Sequence, residues 1–195
     1  MKKVHLINAK HPYAHSSGEY TNGLFIAAKD YFQSRSWQIE TSFTHGDYNI
    51  QEEVEKLNSS DLIITHTPFW WMGLPWSLKK YIDEVLTEGH GILYTNDGRS
   101  RKDQGKLYGS GGLKHDTKYM LTMIMNAPAS VFNNKNSLFE GASVDEVTIQ
   151  FHKTFQFLGM MPAKTFTAND VMKEPQFEND KAQYLEHLST LFDGE

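Results

Sequence analysis

The chain has 195 residues, no cysteine, and a formal charge of −5 from 19 basic and 24 acidic residues. That length suits one domain with a full hydrophobic core. The missing cysteine excludes disulfides, thiolate nucleophiles, iron–sulfur ligation and cysteine-based zinc sites, so redox chemistry would need an organic cofactor or a metal on other ligands.

The basic clusters are short (Lys2-Lys3, Lys79-Lys80, Arg99 to Lys102) and offer no footprint for nucleic acid. Met1-Lys2-Lys3 precedes an apolar run of only Val4 to Ile7, too short for a signal peptide. No apolar run is long enough to span a membrane. The expectation is a cytoplasmic protein without a membrane span.

Val4 to Ile7 predicts the first strand. Leu24, Ala27, Ala28, Tyr31 and Phe32 then share one helical face. Gln38 to Phe43 alternates as a strand does, and Asn49 with Glu52 forms a capping-box pattern ahead of a short helix. Leu62-Ile63-Ile64 reads as a strand covered on both faces. Pro75 suits a first helical turn, followed by Leu78, Tyr81, Ile82, Val85 and Leu86 at helical spacing. Tyr119 to Met125 is the next strand. Ser143 and Glu146 make a second capping box, with Val144, Val147, Phe151 and Phe155 on one following helix. Lys164 to Thr167 is the last strand, and Tyr184 to Phe192 a terminal helix. Strand and helix alternate five times, which predicts α/β architecture: a doubly wound, five-stranded parallel sheet with helices on both faces, in a single domain over 1–195.

One stretch breaks the alternation. Gly89 to Lys118 holds seven of the 14 glycines, and a loop of that length is usually functional or disordered. Its tyrosines, Tyr94 and Tyr108, and its mixed charges argue for an ordered excursion.

Ligands of open α/β sheets bind beyond the carboxyl ends of the strands, where three loops stand out. After the first strand, Ser16-Ser17-Gly18-Glu19-Tyr20-Thr21-Asn22-Gly23 leads into a helix. Hydroxyls, glycine and a helix N-terminus suit a phosphate, although the same residues also serve as ordinary caps. No Walker or dinucleotide fingerprint is present. After the third strand, Phe69-Trp70-Trp71-Met72-Gly73-Leu74-Pro75-Trp76 packs three of the four tryptophans into seven residues. Flat aromatic walls there suit a flat ligand, or else a hydrophobic plug or subunit interface. The third, Asn126-Ala127-Pro128, permits close backbone approach. His11 and His15 are four apart, but Pro12 denies them a shared helical face, and no metal site is expected.

The run from Trp70 to Val85, W-W-M-G-L-P-W-S-L-K-K-Y-I-D-E-V, resembles the modulator of drug activity B family of NAD(P)H:quinone oxidoreductases, which have a flavodoxin-like fold. The likeness continues through Glu88 to Tyr94, Asp97 to Asp103, Tyr108 to Leu113, Asn126 to Pro128 and Phe151 to Met160. It implies tightly bound FAD, NAD(P)H as co-substrate with NADPH favoured, a small quinone acceptor, and a homodimer with the flavin near its interface. Carried over, Ser16, Ser17, Gly18, Glu19, Tyr20, Thr21, Asn22 and Gly23 would hold the pyrophosphate and adenylate part. Phe69, Trp70, Trp71 and Met72 would flank the isoalloxazine. Ile124, Met125, Asn126 and Ala127 would run along the ring and ribityl chain. Tyr108 would touch the flavin from the partner subunit, and is the candidate catalytic side chain. Two positions depart from the family pattern: Phe69, where glycine is common before W-W, and Met125, where tryptophan is common before N-A-P. The implied reaction is ping-pong hydride transfer through flavin N5. Its rivals are an FMN electron carrier, a flavin reductase of nitro or azo compounds, and a non-enzymatic interaction protein.

Overall fold

The computed structural model describes residues 1–13, 15–103 and 105–194. Its strands are β1 (Lys3–Asn8), β2 (Gln38–Phe43), β3 (Leu62–Pro68), β4 (Lys118–Ile124), β5 (Met161–Pro162) and β6 (Phe166–Ala168). Its helices are α1 (Glu19–Ser34), α2 (Ile50–Ser59), α3 (Trp76–Glu88), α4 (Val144–Val147), α5 (Ile149–Phe157) and α6 (Phe177–Phe192). All pairings are parallel, in the order β2-β1-β3-β4, with β5 and β6 both beside β4. The fifth position of the expected sheet is thus one interrupted strand. Pro162 cannot donate to the ladder, and the Lys164 carbonyl accepts instead from His187 Nε2 at 2.8 Å. Residues 164 and 165 therefore leave the sheet that they were expected to join.

The strands' period of two divides the core. Ile7, Ile63, Tyr119, Leu121 and Met123 face α2, α3 and α5. Val4, Leu6, Leu62, Ile64, Met120 and Ile124 face α1 and α6. The helix expected after Ser143 is two helices. Thr148 Oγ1 donates to the Val144 carbonyl at 2.8 Å, a side-chain bond that competes with helix continuation. The Ser143–Glu146 capping box forms in full. Asn49 Oδ1 accepts the N–H groups of Gln51 (3.0 Å) and Glu52 (3.3 Å). Asn49→Ala should cost about 1 kcal/mol through loss of this cap, measurable as a lower urea midpoint with an unchanged slope.

The 89–118 excursion is tied down by backbone bonds: Thr95 N to Gly111 O (2.9 Å), Leu113 N to Leu93 O (2.9 Å) and Lys114 N to Leu158 O (2.9 Å). Gly112 makes the last approach possible, because a Cβ there would lie 2.2 Å from the Leu158 carbonyl carbon. Leu93 fills the core beneath it.

Candidate active site

Parallel β1, β3 and β4 end together, so the loops that follow them meet at one edge of the sheet. They enclose two adjoining cavities, each about 340 Å³, that share Phe69 and Asn126. The first runs from His15, Ser16, Ser17, Gly18, Glu19, Tyr20 and Thr21 to Phe69, Trp70 and Ile124. The second continues past Trp71, Met72, Ala127 and Pro128 to Leu138 and Phe139.

The first cavity opens on the N-terminus of α1. Gly18 is its N-cap, held at φ +74°, and among the described residues no side chain caps the helix. The left-handed conformation is cheap only for glycine. An uncapped N-terminus leaves donor N–H groups and the positive end of the helix dipole facing the cavity. Glu19 in this turn is paired with Lys10 Nζ at 2.8 Å. Tyr20 donates to Asp180 at 2.6 Å and anchors the helix start to α6.

The tryptophan loop is a tight reversal. Trp70 and Gly73 exchange backbone bonds of 3.0 and 2.9 Å, and the two residues between them, Trp71 (φ +46°) and Met72 (φ +60°), are both left-handed. Non-glycine residues hold that shape at a cost, which is concentrated at functional sites. Among the described residues the Trp71 and Met72 N–H groups have no hydrogen-bond acceptor. They are free to address the polar edge of a flat ligand. The Trp71 ring is 97% exposed, while Trp70 is braced from behind by Tyr13 and His11, each with its ring centroid 5.8 Å away. His11 also meets His45 (4.6 Å) and Trp76 (5.1 Å). Burial, and then His45 beside it, hold the His11 pKa below its ordinary value, so it braces the loop as a neutral ring.

Most of the expected residues line this edge. Four do not. Met125 is 1% exposed and packs with the core behind α3 and α5, whereas Ile124 and Asn126 face the cavity. Gly23 serves helix packing, since a Cβ there would lie 2.4 Å from the Phe177 ring. Asn22 is held by Asn8 Nδ2 at 3.1 Å. Tyr108 sits on a separate groove with Tyr94 and Phe157, between α3 and α5. The sequence reading missed the His11–Tyr13–His45 brace, Val171 and Met172 beside the first cavity, and Leu138 and Phe139 beside the second. Among the described residues no group of three or more potential metal ligands occurs, and no helix is long and apolar enough to cross a membrane.

A family model described as the flavodoxin-like fold matches residues 2–191. The chain is also 40% identical over 187 residues to the NADPH:quinone oxidoreductase MdaB of Haemophilus influenzae, covering 96% of this chain and 97% of that one. The chain belongs to the modulator of drug activity B branch of the flavodoxin-like family. Within this family it is 42% identical to an uncharacterized protein of Schizosaccharomyces pombe over 97% of both chains. Its flavodoxin-like fold superposes on a Klebsiella pneumoniae protein with a TM-score of 0.79, covering 98% of this chain and 85% of that one at 20% identity. It also superposes on an FMN-dependent NADH-azoreductase of Bacillus anthracis in complex with FMN, with a TM-score of 0.70 over 97% and 99% at 15% identity.

Proposed function

We propose that this protein is a flavin-dependent NAD(P)H:quinone oxidoreductase with FAD as its flavin and NADPH as the favoured donor. One observation carries the reading: an uncapped helix N-terminus and an aromatic, apolar wall share one continuous cleft. An anion and a flat ring on one molecule match those two halves. The donor set fits the group. The α1 N–H groups and the Ser16, Ser17 and Thr21 hydroxyls would hold phosphate. The Trp71 and Met72 amides would meet the ring's polar edge, and Phe69 and Trp70 would wall off water. The 40% identity to a named NADPH:quinone oxidoreductase supports the activity.

When bound, the flavin supplies the hydride chemistry, and the protein supplies position and electrostatics. A single stacking slot between Phe69 and the Asn126-Ala127-Pro128 loop would be used by donor and acceptor in turn, which gives ping-pong kinetics. The groove that carries Tyr108, which is 71% exposed, is the surface for a homodimer in which Tyr108 reaches the partner's flavin.

The test has three readouts on the purified protein: the flavin released by heat, identified by chromatography; NADPH oxidation with a benzoquinone; and the sedimentation mass. FAD, sustained NADPH oxidation with parallel double-reciprocal lines, and a dimeric mass are expected. A colourless protein that takes up no flavin would remove the reading. Released FMN would correct the cofactor alone.

A further inference from the structure

The second cavity has a wall that the flavin site does not need. Past Pro128 the chain makes one turn of 3-10 helix, Ala129–Val131, then a compact loop that returns to Ser143. Asn133 N donates to the Ala142 carbonyl at 2.9 Å and closes the loop. Ser137 Oγ donates to the Val131 carbonyl across it. Asn133, Glu140 and Gly141 all take left-handed conformations. Phe132 and Phe139 stack face to face, 5.0 Å apart and 6° from parallel. A loop fixed this firmly would be expected to bury its apolar residues, yet Leu138 is 72% exposed. It lines the cavity with Phe139, Val131, Phe69, Trp71 and Met72.

The chemistry of this cavity is one-sided. Among the described residues its lining carries only two polar side-chain groups, the Trp71 indole N–H and the Asn126 amide, whose Oδ1 already accepts the Met172 N–H at 3.3 Å. Among the described residues no cation or carboxylate lines it, so a charged substituent entering it would lose water and gain no group of opposite charge. An alkyl or isoprenyl substituent would lose only unfavourable hydration. The exposed apolar surface of Trp71, Met72 and Leu138 marks a binding surface of that kind.

We infer that the far end of this cavity, at Val131, Leu138 and Phe139 beyond the residues that would hold the flavin ring, is a side pocket for the apolar substituent of the acceptor, and that Leu138 and Phe139 make the protein select quinones with alkyl or isoprenyl tails over charged ones. The inference rests on the quinone reductase reading and adds a substrate class to it. The ring stacks in the flavin slot, and the tail leaves it over Ala127 and Pro128 into the Leu138 pocket.

Two measurements on the flavin-loaded protein test this. Equilibrium dialysis without NADPH compares a dimethoxy-methyl-benzoquinone, the same ring with one prenyl unit, and a naphthoquinone sulfonate. Steady-state NADPH oxidation then uses the same three. The prenylated ring should bind about tenfold tighter than the bare ring, given the area it buries, and its KM should fall in parallel. Leu138→Asp, at a position too exposed to threaten folding, should erase that preference. Equal binding of bare and prenylated rings, or a preference that survives Leu138→Asp, would overturn the pocket. A binding preference that Leu138→Asp abolishes, without NADPH-driven turnover, would uphold the pocket and overturn the reductase reading instead.

Discussion

Lowering the pH from 6.5 to 5 is expected to remove about 3 kcal/mol of folding stability, because each of two buried histidines is half protonated in the unfolded chain at pH 6.5 and its loss approaches about 1.4 kcal/mol per pH unit below that. His5 and His66 are fully buried in β1 and β3, on opposite faces of the sheet. Burial lowers both pKa values to about 3. The unfolded chain binds these protons around pH 6.5 and the folded chain does not, so their contribution is complete only well above 6.5 and drains as pH falls towards 3. The hydrogen bonds agree. Ser42 Oγ donates to Glu53, which leaves His5 Nε2 to donate to Ser42 at 2.7 Å. Among the described residues its Nδ1 is buried without a partner, tolerable as a lone pair and costly as an N–H. His66 Nε2 lies 2.7 Å from the Tyr184 hydroxyl on α6.

Glu53 extends the loss further into acid. Burial pushes its carboxyl up, but hydrogen bonds from Lys56, Ser42 and Tyr81 outweigh it and hold the pKa below the ordinary value. Its contribution is present above the unfolded pKa and fails as pH drops below that range. Urea titrations at pH 7 and pH 5 measure the sum. His66→Gln removes one of the two proton sites and should halve the slope between pH 6.5 and 5. Equal stability at both pH values would refute the account.

The alternating sheet was legible because its signals are local. Leu62-Ile63-Ile64 can only be a doubly covered strand, and the Leu78–Leu86 spacing only a helix. The interrupted β5 and β6 were not legible, because what interrupts them is a bond from His187 on α6 to the Lys164 carbonyl, and no local pattern encodes it. Thr148 looked like an ordinary helical position until its hydroxyl took the Val144 carbonyl.

The candidate site divides in the same way. Hydroxyls and glycine before a helix point to the half proposed for an anion, and clustered tryptophans outside any periodic element to the half proposed for a flat ring. The stretch from Ile124 to Ala127 was read as continuous, but a strand's period of two sends Met125 into the core and leaves Ile124 and Asn126 in the cleft. His11 and Leu138 were illegible for another reason. One acts by bracing Trp70, the other by facing a cavity built from two separate loops, and both roles exist only after folding.

Ser17→Asp should separate the flavin site from the fold that carries it. Ser17 is exposed and directly precedes the Gly18 N-cap. A carboxylate there meets the positive end of α1 and free N–H donors, which stabilises a helix by about 0.3–1 kcal/mol. Without flavin, the variant should melt at or slightly above the parent temperature. The same carboxylate stands where a phosphate of the flavin would sit. Two like charges about 4 Å apart repel by about 4 kcal/mol at an effective dielectric near 20, so affinity should fall by two to three orders of magnitude. The aromatic half of the cleft is untouched, so a flavin without phosphate should bind the variant as well as it binds the parent. Titrating apoprotein with FAD and with riboflavin, and following the quenching of flavin fluorescence, reads both effects. A variant that keeps full FAD affinity would place the phosphate elsewhere, and one that loses riboflavin equally would mean that the substitution had disturbed the cleft as a whole.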